Sequence, residues 1–198
     1  METSISVTDV GDVDEVPITI LWLMAGNWTL AQKNSAETVF RGILKKSPLT
    51  PTTIIATTVE GAQRILNGSS FDLAIIAACA HTISPARQPR PDPRGGLAMI
   101  DWIRGMNPDS CNNRLIPIIM SDRYASMLPG CASEKKRISV VAEVDLSMHY
   151  SALGAVGRAL GDNEVARALK KGPQRSGDTE MLRRTIAGCR MQQEAVVK

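Results

Sequence analysis

Apolar residues fall along the chain as short runs, separated by longer stretches with helical spacing. The run Leu73-Ala74-Ile75-Ile76-Ala77-Ala78-Cys79-Ala80 carries no charge, and the turn Asn67-Gly68-Ser69-Ser70 with Asp72 bounds it on one side. A run of that length, closed by turn residues, predicts a strand buried on both faces. Burial on both faces requires helices on both sides, so strands and helices should alternate. The pattern supplies that alternation. Residues 17–24 predict a first strand. Residues 28–46 predict a helix with Ala36, Phe40, Ile43 and Leu44 inward, ended by Pro48 and Pro51. Residues 52–57 predict a second strand, and Thr58 caps a helix through Leu66 that Gly68 closes. The third strand runs over 71–81. Residues 97–106 form a helix, 115–120 a fourth strand, 138–144 a fifth strand and 151–160 a helix that Gly161-Asp162 ends. Residues 121–136 have no settled reading, because Pro129-Gly130 interrupts any helix there.

Residues 81–94 hold Pro85, Pro89, Pro91 and Pro93 interleaved with Arg87, Arg90 and Arg94. Prolines at that density predict a loop without a regular element. Three parts follow: an acidic leader (1–16), a domain of βα units (17–161) and a basic, partly helical tail (162–198). The leader has Glu2, Asp9, Asp12, Asp14 and Glu15 and no Lys or Arg, which reads as a solvated segment. In the tail, Gly172-Pro173-Gln174-Arg175-Ser176-Gly177 reads as a linker. Residues 178–197 read as an amphipathic helix with Leu182, Ile186 and Cys189 on one narrow stripe. Such a stripe suits docking on a partner or on the domain itself better than independent folding.

Composition narrows the classes. With 198 residues, 43% of them hydrophobic, one domain with a sizeable core is affordable. Aromatics are only 4%, so that core is aliphatic. A net charge of +3 is too mild to argue for nucleic acid. The four cysteines, Cys79, Cys111, Cys131 and Cys189, form no C-x-x-C pair, which fits a reducing compartment. No apolar run reaches the roughly 20 residues that span a bilayer, and the first residues lack a signal-peptide pattern. The expectation is a cytoplasmic protein without membrane contact.

Five βα units with this spacing describe an α/β protein, a flavodoxin-like (βα)5 three-layer sandwich around a parallel five-stranded sheet, with a C-terminal helical tail. Four segments go further. Ile20-Leu21-Trp22-Leu23 before a turn and helix, Phe71-Asp72-Leu73-Ala74-Ile75-Ile76, Gly95-Gly96-Leu97-Ala98-Met99-Ile100-Asp101-Trp102-Ile103-Arg104 and Ile116-Pro117-Ile118-Ile119-Met120-Ser121 together resemble the receiver domain of bacterial two-component response regulators. The likeness covers residues 17–161. It implies a role in phosphorelay signalling. A receiver also has an acidic pair for Mg²⁺ after the first strand, a phospho-accepting Asp after the third, a hydroxyl after the fourth and a Lys after the fifth. Those positions fall here on Ala25 and Gly26, on Ala77, on Asp122 or Ser121, and on Leu146. Mg²⁺ requires oxygen ligands, and methyl and hydrogen side chains offer none. Ala77 has no nucleophilic oxygen, and Asp72 stands about five residues, or ~16 Å, away at the strand's start. The resemblance therefore implies a pseudo-receiver, with no phosphorylation site, no metal and no cofactor.

Other constellations are thin. Cys79 and His81 share a face of an extended strand, yet no third group orients them as a nucleophilic pair. His81 and His149 make two metal ligands without a third. Gly26, Gly95 and Gly96 match no phosphate-binding motif. The expected function is a phosphorylation-independent, non-enzymatic protein-interaction module. Its partner would be a signalling protein such as a histidine kinase, an output domain or a regulator, and a homodimer is compatible with it. The resemblance implies a contact face drawn from residues 121–136, Glu143, His149, Tyr150 and the exposed side of 151–160, with specificity from the basic tail and the loop of Arg87, Arg90 and Arg94. The alternative is a sensor of a small anionic ligand or nucleotide, using an apolar crevice near Ala25, Ala77 and Ala78 ringed by those arginines.

Overall fold

The computed structural model describes residues 15–83, 88–105, 115–123, 138–171 and 176–195. Strands β1 (Val16–Leu23), β2 (Leu49–Ala56), β3 (Leu73–Ala77), β6 (Ile118–Asp122) and β7 (Ile138–Ala142) form one all-parallel sheet in the order β2-β1-β3-β6-β7. Alternation along β1 divides the interior into two cores. Ile18, Ile20, Trp22 and Met24 pack against Phe40, Ile43 and Leu44 of α1 (Leu30–Leu44) and against Leu153, Val156 and Leu160 of α4 (His149–Leu160). Leu21 and Leu23 face the other way, toward Ala62 and Leu66 of α2 (Val59–Gly68) and Met99, Ile100 and Ile103 of α3 (Gly95–Gly105). The result is a three-layer, flavodoxin-like α/β fold. Few aromatics take part. Trp22 and Phe40 meet edge-to-face at 5.2 Å, a contact worth about 1 kcal/mol beyond its area.

Local chemistry sets the helix starts. Thr29 caps α1: it accepts from the Gln32 amide at 3.3 Å while Gln32 Oε1 accepts from the Thr29 amide at 2.8 Å. Thr58 Oγ1 caps α2 by accepting from the Gly61 amide at 3.1 Å.

Four expectations need correction. The second strand begins at Leu49 and contains Pro51. β2 is an edge strand, and the Val16 amide bonds to Pro48 O while the Met24 amide bonds to Ala56 O. In that register the amides of residues 50, 52, 54 and 56 face β1. Residue 51 faces away, where a missing N–H costs no ladder bond.

The proline-rich stretch is not a plain loop. β4 (Ala80–Ile83) pairs antiparallel with β5 (Pro89–Asp92), His81 opposite Pro91 and Ile83 opposite Pro89. Such a ladder uses the N–H of every second residue only, so prolines at 89 and 91 leave Arg90 and Asp92 to bond. The Ile83 amide points outward accordingly and donates to Glu60 Oε1 at 3.0 Å.

The third difference concerns strand ends. β3 stops at Ala77, β6 runs to Asp122, and β7 ends at Ala142, where one 3₁₀ turn takes over (Glu143–Ser147).

Last, an unforeseen helix α5 (Asn163–Lys171) precedes α6 (Ser176–Ala195). Asp162 Oδ1 caps α5, accepting from Glu164 N at 2.7 Å and Val165 N at 3.1 Å. Its Val165 and Leu169 join the α1/α4 core, and α4 lies so close that a Cβ on Gly157 would stand 2.3 Å from Ala166 Cα. α6 docks on the domain itself: Leu182, Ile186 and Cys189 are buried, and Gln193 Nε2 donates to Phe71 O at 3.2 Å. Among the described residues no helix is long and apolar enough to cross a membrane. Leader residues 1–14, Arg87, Cys111, Cys131 and residues 124–136 lie outside the described residues.

Candidate functional site: the carboxyl rim of the sheet

Open parallel sheets bind ligands beyond the carboxyl ends of their strands, where the winding changes direction. Here the chain leaves β1 for β2 on one side and then crosses to β3 on the other, so that point lies between β1 and β3. The rim there is filled by the protein itself. Gly26 N donates to Cys79 O at 2.8 Å, and Ala25 makes an isolated antiparallel bridge to Ala80. Ala25, Ala77 and Ala78 are 2%, 1% and 4% exposed, and Ala80 is fully buried. From the side, Gly96 N donates to Ala78 O at 2.9 Å. A Cβ on Gly96 would sit 2.1 Å from Ala77 O, so only hydrogen fits where α3 meets the end of β3.

Ser121 stands opposite Ala77 in the β3–β6 register, and its carbonyl accepts from Ala78 N at 2.8 Å. Asp122 is the last residue of β6 and half-buried. Leu146 is buried in the 3₁₀ turn, an apolar plug where the resemblance would place an ammonium.

The carboxylates of this rim come from other positions. Glu143 follows β7 and accepts from Trp28 Nε1 at 3.2 Å. Burial pushes the Glu143 carboxyl above its ordinary pKa. The Trp28 bond pulls it back, Asp122 adds to the rise and Arg123 opposes it. The Cys79 thiol is also pushed up, first by burial and then by the charges of Glu143, Asp92 and Asp122. A thiolate is disfavoured there, which is the wrong environment for a nucleophile.

His81 lies in a different field. Burial and then the Lys33 charge lower its pKa, while a hydrogen bond to the Thr57 backbone raises it. The structure thus does not build the Cys79–His81 pair. β3 ends before Cys79 and β4 begins after it, so strand alternation does not carry across. His149 stands edge-to-face with Tyr150 at 5.1 Å at the start of α4. Among the described residues no group of three His, Cys, Asp or Glu side chains is arranged to hold a metal ion.

Arg90 and Arg94 are exposed on and beside the hairpin, and the Arg94 amide donates to Asp92 Oδ1 at 2.8 Å. Next to the rim, Val144 is 64%, Met148 53% and Tyr150 65% exposed. The expected face included Glu143, His149 and Tyr150; Val144 and Met148 were not singled out, although apolar residues in a polar stretch were the available signal. The Trp28–Glu143 bond joins residues 115 positions apart and left no trace in local sequence.

No protein-family model matches the chain, and no match to a curated protein is found.

Proposed function

We propose that this protein is a degenerate receiver-like module of a bacterial two-component or phosphorelay pathway that works in the cytoplasm by binding a signalling protein, without phosphorylation and without a reaction of its own. One observation carries this reading. The position corresponding to the phospho-acceptor is Ala77, buried and packed against Gly96, with Ala25 and Gly26 where Mg²⁺ ligands would stand. The strand order β2-β1-β3-β6-β7 is compatible with it. Val144, Met148 and Tyr150 offer the partner a mixed apolar and aromatic surface, of the composition that interfaces favour. The partner would be a histidine kinase, an output domain or another regulator.

The ligand-sensor alternative has less support, because Ala25, Ala77 and Ala78 are buried and Ala25 is bridged to Ala80. The test is incubation with a small phosphodonor and Mg²⁺, read by intact mass. An unchanged mass is expected; a stable phosphoryl adduct on a carboxylate of the rim overturns the reading.

A further inference from the structure

Helices α4 and α5 approach each other over two glycines of α4. At Gly157 the neighbour is the α5 backbone, and at Gly154 it is the head of a side chain. A Cβ on Gly154 would stand 2.9 Å from Lys170 Cε, 3.0 Å from Lys170 Nζ and 3.2 Å from Arg158 Nη1. The ammonium and the guanidinium therefore converge on bare helix backbone, within about 6 Å of each other, where like charges repel. Among the described residues neither side chain takes part in an ion pair. Asp162, between the two helices, gives its Oδ1 to the first amides of α5. A basic residue in the last turn of each helix suits the helix dipoles. That accounts for a cation at each helix end. It does not account for two exposed, rotatable side chains whose heads meet at one glycine.

A cavity adjoins Arg158. It has a volume of about 450 Å³ and lies between the start of β7 and the junction of α4 with α5. Arg158, Ser139, Asp162 and Asn163 contribute to its wall, together with Ile138 and Leu160. That volume is in the range of small-molecule sites, which combine apolar wall with a few polar groups. Arg158 belongs both to the cavity and to the pair of cations over Gly154.

We propose that Arg158 and Lys170 bind the phosphate of a small phosphomonoester whose organic part occupies this cavity. A phosphomonoester carries close to two negative charges at neutral pH, which matches two cations facing one point. Both contacts are charge-assisted, and the anion removes the repulsion between the two heads. The cavity is what calls for an organic part, since a bare oxyanion would use only the Gly154 end. The site stands at the amino end of β7, away from Ala77, and is independent of how the protein signals.

The test uses the full chain, labelled with ¹⁵N, near neutral pH. The probes are phenyl phosphate and inorganic phosphate, with sodium chloride matching ionic strength. Phenyl phosphate up to about 10 mM should move the amides of Ser139, Gly154 and Asn163 along one saturable curve, with at least about fivefold tighter binding than inorganic phosphate. Arg158→Gln and Lys170→Met should each weaken phenyl phosphate binding at least about tenfold without lowering the melting temperature, because both heads are in solvent and repel each other. Gly154→Ala drives the Lys170 head aside without removing a charge, and should weaken binding as well. Absence of a saturable shift at those amides overturns the proposal. Equal affinity for the two phosphates does so too, as does unchanged affinity in the Arg158 and Lys170 variants.

Discussion

Arg190 grips Asp72 across 118 positions of chain with both prongs of its guanidinium, Nε at 2.6 Å from Oδ1 and Nη2 at 2.9 Å from Oδ2. The carboxylate is buried, and its Oδ2 also accepts from Thr19 N at 2.8 Å. The same Nη2 reaches Pro17 O at 3.3 Å. One side chain of α6 therefore ties the amino ends of β1 and β3 together. Removing it leaves a buried carboxylate short of its donors. Arg190→Ala should cost about 2–3 kcal/mol, below the value for a fully buried pair because half of the arginine is exposed. Urea unfolding checks the magnitude, and hydrogen exchange should show α6 losing protection first. Lysine should restore little, since it lacks the two-pronged geometry.

Two glycines should respond in opposite directions. Gly96→Ala places a methyl 2.1 Å from Ala77 O, a backbone atom that moves only if α3 and β3 separate. A loss of about 3 kcal/mol is expected. Gly42 lies in α1 with nothing within 4 Å of the added Cβ, so Gly42→Ala should stabilise by about 0.5–1 kcal/mol. Denaturation midpoints of the two variants decide it.

Glu143 predicts a pH dependence of definite sign. Its folded pKa is raised, chiefly by burial, so the native state holds the proton more tightly than the unfolded chain. Its contribution therefore weakens as pH rises from the ordinary glutamate range through the raised value, and a stability penalty remains above it. Glu143→Gln keeps an acceptor for Trp28 Nε1 and removes the charge. It should melt higher than the native chain near pH 7 and converge with it near pH 4. Melting curves across that interval, followed by tryptophan fluorescence, provide the check.

Adding one acid at the rim should not create a phosphorylation site. Ala77→Asp puts a carboxylate at a position 1% exposed. Destabilisation of about 3 kcal/mol is expected, with no phosphoryl adduct from a small phosphodonor and Mg²⁺. Thermal denaturation and intact mass measure the two outcomes. Phosphorylation of this variant would show that the rim opens more readily than its packing implies.

Exposed apolar residues near the rim give a cleaner separation of binding from folding. Val144→Asp combined with Tyr150→Ala should leave stability within about 0.5 kcal/mol, since both side chains are mostly in solvent. Capture of the proposed signalling partner should fall at least tenfold, measured by quantitative pull-down.

How much of this was legible follows from the scale of each signal. β1, β3 and the inner face of α1 stood out because burial repeats along them at fixed periods, and Thr58 marked the start of α2 through a local bond. The β4–β5 hairpin was hidden because Pro89 and Pro91 were read as breaking a ladder, whereas alternate prolines are compatible with one. α5 was hidden by its length: nine residues, with Ala166 and Ala168 among its buried positions, make a weak apolar stripe. That the end of β3 carries no acid could be read from the strand's wording. That Ala80 would bridge to Ala25 at the rim could not, because the two lie 55 positions apart.

Pro51 points its ring nitrogen away from the sheet, at the third residue of an otherwise β-branched, threonine-rich border strand. A neighbouring molecule that tried to extend the sheet there would meet a gap in the row of donors after a single amide. Sideways extension of the sheet through that border is hindered at its outset.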